Sequence, residues 1–175
     1  MPELHPYLSP KLADAGFRHG FFGRVGGHST GAYSSLNCSY SVGDEAANVT
    51  ANLASVAAHF GLMPNRLVTS SQVHGCCVLD ADDAAELESL REREGDALVG
   101  ASNAYALCIR TADCVPVLIG CRSTGMAAAV HAGWRGIVAR VVPAAVEALI
   151  NKGAVREAIV AAVGPHIGPV HFEVS

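Results

Sequence analysis

Residues 115–130 read VPVLIGCRSTGMAAAV, in which two short apolar runs, Val115–Ile119 and Met126–Val130, flank a polar turn. Neither run alternates apolar with polar residues, which is the pattern of strands covered on both faces. Ala104–Ile109 before them and Ala158–Val163 after them have the same character. Between the third and fourth runs, Ile137, Val138, Val141, Val142, Val146, Leu149 and Ile150 recur at helical spacing. This segment predicts a helix over Ile137–Ile150 closed by Lys152 and Gly153, with Pro143 kinking it or starting its second half. Strands alternating with packed helices predict an α+β sandwich with the motif residues at strand ends and in loops.

Upstream, Asp44 is expected to cap a helix whose stripe is Val49, Leu53, Val56, Ala57 and Phe60, ended by Gly61 and Pro64. Residues Gly23 to Asp44 are rich in Gly, Ser and Asn and predict a long ordered loop. The charged segment Asp80 to Glu94 reads as a solvated helix or loop.

The chain has 175 residues, 50% hydrophobic and 16% charged. That composition excludes a disordered polymer and suits one domain spanning residues 1–175. Twelve Lys and Arg oppose sixteen Asp and Glu, a formal charge of −4. No basic field exists to bind nucleic acid or an acidic membrane, so neither is an expected partner. The start, MPELHPYLSPKLADAG, lacks a basic segment followed by an apolar run, and no apolar stretch matches a membrane span. A soluble cytoplasmic protein is expected, with its six cysteines as reduced thiols.

The eight histidines and six cysteines form no CxxC, HExxH or His-x-His pattern, so a metal site has to be assembled from distant parts of the chain. Three residues stand out by setting: His74 in SQVHG, Cys114 in TADC just before Pro116, and His131 in VHAGWRG. The separation of 17 in residue number from Cys114 to His131 suits a strand, a turn and a returning strand. The competing reading makes His74 and His131 hydrogen-bonded core histidines and Cys114 a small buried hydrophobe. Cys38, Cys76, Cys77, Cys108 and Cys121 read as packing residues. His5, His19, His28 and His59 read as surface or loop residues, and His166 and His171 as part of a Gly/Pro turn.

Ordered motifs run from Gly20 to the last residue: RVGGHSTGAYSSLN (Arg24–Asn37) with Gly43-Asp44, SQVHG (Ser71–Gly75), GDALV (Gly95–Val99), IRTADCVPVLI (Ile109–Ile119), AVHAGWRG (Ala129–Gly136) and GPHIGPVHFEV (Gly164–Val174). In these the chain resembles the YfiH-like family, also called the laccase-domain or multicopper polyphenol oxidase family, whose members include zinc-dependent purine nucleoside enzymes. The resemblance implies an α/β/β/α sandwich with mixed sheets, similar to the fold of cysteine hydrolases and deamidating toxins. It implies His74, Cys114 and His131 as metal ligands, with zinc as cofactor and copper as the alternative. It also implies phosphorolysis of a purine nucleoside (adenosine, inosine or methylthioadenosine) with phosphate, and adenosine deaminase activity. Departures are His166 where relatives usually carry Cys or Ala, Ile137 in place of Thr, and Leu53 in place of Arg. The family continues beyond the EV motif, so the chain is expected to be a fragment or a short relative, its pocket open on one side.

Two imidazoles and one thiolate fill three positions of a tetrahedral zinc and leave the fourth open, as a catalytic site requires. Zinc there would make water nucleophilic enough to attack a purine at C6 and release ammonia. Asp113 and Glu173 are candidates for the carboxylate that shuttles protons. Arg24 and Arg135 suit a phosphate, Trp134 suits stacking on a base or core packing, and Asn37 and Gln72 suit ribose or base or, equally, the stabilisation of their loops. Two other enzyme classes use the same donors. One is a copper-dependent polyphenol oxidase with Met126 as a weak axial ligand, although a multicopper enzyme needs further clustered histidines. The other is a hydrolase with Cys114 as nucleophile and His131 as base, including an enzyme that edits peptidoglycan precursors. A non-catalytic metal-binding module is the remaining reading.

Overall fold

The computed structural model describes residues 4–83 and 87–173. Along the chain come α1 (Pro10–Asp14), α2 (Ala46–His59), β1 (Leu67–Val68), β2 (Val78–Asp80), β3 (Ala97–Gly100), β4 (Ala106–Leu107), β5 (Val115–Cys121), β6 (Ala127–Ala132), α3 (Trp134–Val138), α4 (Val141–Asn151) and β7 (Ile159–Val163). The two central apolar runs pair as antiparallel β5 and β6, with Val115 opposite Ala132 and Gly120 opposite Ala127. They lie inside a five-stranded sheet of order β2-β3-β6-β5-β7, in which only β2 and β3 run parallel. β1 and β4 form a separate parallel pair.

The layering follows from the alternation of side chains along each strand. Ala97 and Val99 of β3 join Val117, Ile119, Ala128 and Val130 beneath α4, which buries Val141, Ala145 and Leu149. Leu98 points the other way, with Leu79, Val68 and Leu90. Beyond β1, Leu67 packs with Leu36, Val56 and Ala57 under α2. The order is helix, five-stranded sheet, two-stranded sheet, helix, an α+β sandwich with mixed sheets.

Several expectations need correction. β1, β2 and β3 hold two, three and four residues and are too short to show a period. The run Ala104–Ile109 is a strand only at Ala106–Leu107. β7 lies at the sheet margin with Val163 61% exposed, so it is not covered on both faces. Asp44 does not cap α2: the cap position is Glu45, without a side-chain cap bond. The Asp44 carboxylate instead accepts from Ser29 Oγ, Asn37 Nδ2 and the Glu45 N–H. Ser29 and Asn37 foremost hold it below the usual carboxylate range. Ile137–Ile150 is two helices separated at Arg140, whose φ is +67°, and Pro143 sits in the first turn of α4, where its missing N–H has no intrahelical partner to lose. Within Asp80–Glu94, residues 84–86 lie outside the described residues. Leu87–Glu92 forms a 3-10 turn that buries Leu90 completely, so this segment is anchored in the core as well as solvated. Cys76 and Cys77 are exposed rather than packed.

The loop 23–44 is ordered by polar bonds. Arg24 Nε and Nη2 both donate to the Ser34 carbonyl. The buried Asn52 of α2 accepts from the His28 N–H and donates to Ser29 Oγ and the Asn37 carbonyl. Among the described residues no helix is long and apolar enough to cross a membrane.

At the far side, Lys152 at the end of α4 lies 2.5 Å from Asp80 and 3.3 Å from Asp82. Burial pushes the Asp82 carboxyl up. The Tyr105 hydroxyl, Lys152 and the Ala101 N–H outweigh it and hold the group below the usual range. A carboxyl depressed on folding stabilises fully above its unfolded value of about 3.9 and loses that contribution as pH falls through the folded value. Asp82→Asn is therefore expected to lower stability at neutral pH and to flatten its decline below about pH 4, measured by denaturant unfolding across that range.

Candidate metal centre

Cys114 immediately precedes β5 and His131 is the penultimate residue of β6, where it pairs with Pro116. The antiparallel register therefore places Cys114 opposite Gly133, at one end of the sheet. His74 arrives from the loop between β1 and β2. The donor atoms of His74, Cys114 and His131 lie within 4.8 Å of one another. The two imidazoles meet edge to face, with centroids 4.9 Å apart. His131 is buried, Cys114 half-buried and His74 exposed, so the cluster opens to solvent on one side.

The donor set suits a divalent ion. Tetrahedral zinc with bonds of about 2.0–2.3 Å requires donors separated by about 3.4–3.6 Å, and the three donors lie within 4.8 Å of one another before any ion draws them in. The surroundings are electronegative. Burial, then the Asp113 and Asp96 charges, push the Cys114 thiol up, so a nearby cation is what would favour its thiolate. Gly133 leaves the room: a Cβ at this position would meet His74 Cδ2 at 2.7 Å and Cys114 Sγ at 3.2 Å.

Asp96, at the entrance to β3, was not among the residues singled out from the sequence, although it stands in the GDALV motif. It is fully buried. Oδ1 accepts from His131 Nδ1 at 2.7 Å and from the His74 N–H at 2.9 Å, while Oδ2 accepts from the Val73 and Gly75 N–H groups at 3.2 and 2.7 Å. Burial pushes this carboxyl up, but His131 and the three backbone donors outweigh it and hold it below the usual range. His74 has φ +62°, a left-handed conformation that brings successive N–H groups onto one anion.

The other candidates divide by what they touch. Gln72 donates to the Arg110 carbonyl and accepts from the Arg110 N–H, tying the His74 loop to the segment that leads to Cys114. Asn37 bonds Ser39 and Asp44 within its own loop, and Arg24 holds Ser34. Arg135 is exposed and stacked 5.0 Å from the Trp134 ring, on the helix that begins directly after Gly133. Asp113 is exposed, with φ +82°, and its carbonyl accepts from the Ile167 N–H. Glu173, His166 and His171 are exposed and outside the cluster. Met126, the candidate axial ligand, precedes β6 at the end remote from His131, about 16 Å along a strand, and it packs in the core beneath α4. It does not reach the site.

Residues 18–175 match the multi-copper polyphenol oxidoreductase laccase family, and the chain belongs to that family. A purine nucleoside phosphorylase of Streptomyces coelicolor is 43% identical over 159 residues, 91% of this chain and 65% of that protein. A protein from an unknown prokaryotic organism, named adenosine deaminase, is 37% identical over 158 residues, 87% and 59% of the two chains. Among solved structures, the hypothetical protein YfiH of Bacillus licheniformis superposes with a TM-score of 0.78 at 26% identity, over 87% of this chain and 60% of that one. The chain thus spans about 60% of the length of the relatives it matches.

Gly133→Ala is expected to push His74 away from Cys114, lowering whatever affinity the cluster has for a divalent metal by about tenfold or more while leaving the sheet folded. Zinc titration alongside circular dichroism separates the two effects.

Proposed function

We propose that His74, Cys114 and His131 hold a zinc ion and that the protein acts on purine nucleosides, cleaving the N-glycosidic bond with phosphate and deaminating adenosine. The observation that carries this reading is the convergence of two imidazoles and a thiol on one point, with the cluster open to solvent at His74. The names of the phosphorylase and deaminase relatives support the substrate class. Bound there, zinc would supply Lewis acidity and make water nucleophilic near neutral pH.

The chain's own residues take the remaining tasks. In phosphorolysis a phosphate oxygen bonds to C1′ of the ribose as the bond to the purine nitrogen breaks, and the purine leaves with the electron pair and takes up a proton. Arg135 is the proposed phosphate holder, exposed on the helix that begins directly after Gly133 and carrying a planar fork of donors. Trp134 beneath it offers a face for the base, and Arg24 is a second candidate for the anion. Asp113, next to Cys114, is the proposed proton carrier, with Glu173 as its alternative. Asn37 and Gln72 act in this scheme by fixing the loops.

The family's copper description keeps an oxidase reading in view. Against it, this is the one His/Cys/acid cluster of its kind among the described residues, whereas a multicopper enzyme needs several. A Cys114 nucleophile is disfavoured because its surroundings raise the thiol, the reverse of what activates such residues.

Metal analysis of the purified protein is expected to find stoichiometric zinc, and incubation with adenosine and phosphate to yield adenine, inosine and hypoxanthine. Cys114→Ala should lose both metal and turnover, and His166→Ala, outside the cluster, should keep both. Activity retained in Cys114→Ala removes the zinc reading, and stoichiometric copper with an intense blue colour replaces it with the oxidase.

A further inference from the structure

We infer that Asp96 is the positioning residue of the metal centre: one carboxylate sets both histidines, the ring of His131 and the backbone turn of His74. The inference rests on the zinc reading above and adds a residue to it. Four groups face the carboxylate: the His131 ring nitrogen Nδ1 and the N–H groups of Val73, His74 and Gly75. Three of them are amides that can only donate, so the carboxylate accepts throughout, and the bond to His131 requires its proton on Nδ1. In the neutral ring, the form that can ligate a metal, this puts the lone pair on Nε2. A carboxylate behind a ligating histidine fixes the tautomer and ring orientation in this manner.

The same two oxygens shape the His74 loop. A non-glycine residue at φ +62° is held against a conformational cost, and three consecutive N–H groups gathered on Asp96 supply the restraint. The Asp96 carbonyl also accepts from the His131 N–H at 2.7 Å, so the backbone and side chain of one residue grip β6 and the loop together. The carboxylate itself is fully buried and stands behind the histidines, which makes it a support rather than a fourth ligand.

The test is zinc and cobalt titration of Asp96→Asn beside the wild type and Cys114→Ala, with nitrogen chemical shifts of the His131 ring in metal-free wild-type protein. Asp96→Asn keeps the shape but turns one acceptor into an NH2 group facing N–H donors. It is expected to bind zinc 10–100-fold more weakly, as loss of an outer-shell partner does, and the wild-type His131 ring is expected to carry its proton on Nδ1. The ring measurement needs no variant, so it decides the matter even if Asp96→Asn does not fold. Zinc affinity within about twofold of wild type in folded Asp96→Asn, or a wild-type ring protonated on Nε2 and not on Nδ1, overturns the assignment. If Cys114→Ala binds zinc as tightly as wild type, the metal reading itself is what has failed.

Discussion

Burying a carboxylate removes it from water, and the loss has to be made good by donors the protein supplies. At Asp96 these donors come from the β6 histidine and from three successive residues of the loop before β2. An acid placed there has therefore coupled two segments that are 57 residues apart at His74 and His131. Replacing one partner strands the others, because unsatisfied buried polar groups cost more than the bonds return individually. The geometry of the cluster is thus a consequence of solvation as much as of chain topology.

Topology supplies the rest. The antiparallel register of β5 and β6 fixes Cys114 across from Gly133, and the glycine's missing side chain is the space into which the imidazole of His74 fits. Gln72 braces the same loop from the opposite side through Arg110. α3 closes over it, with Gly136 approaching the Gly75 carbonyl so closely that a Cβ would stand 2.8 Å away. Three independent contacts surround a loop that no regular hydrogen-bond ladder holds.

The parts legible in the sequence are those carried by local pattern. Two apolar runs and the separation of 17 in residue number from Cys114 to His131 imply the hairpin that forms, and the stripe of α2 ends at Gly61 as its sequence implies, with the Leu62 N–H returning to Ala57. What escaped was decided at a distance. Strands of two to four residues contain too little chain to display a period. Asp44 looks like a helix cap until Ser29 and Asn37 claim its oxygens. Asn37 and Gln72 suit a ligand or a loop equally well in the sequence, and only the folded chain displays the Ser39, Asp44 and Arg110 groups that their amides meet. Asp96 after Gly95 resembles an ordinary turn acid, and only the folded chain displays the donors converging on it.

The three donors differ in how firmly the chain carries them. Cys114 and His131 are fixed by the hairpin, whose pairing requires no ion, whereas His74 rides on an exposed irregular segment. Segments with few ladder bonds open at lower free energy than the strands beside them. An ion bound there would be gripped by two donors of the hairpin and by one donor of a loop that a buried carboxylate, rather than a strand ladder, holds in place.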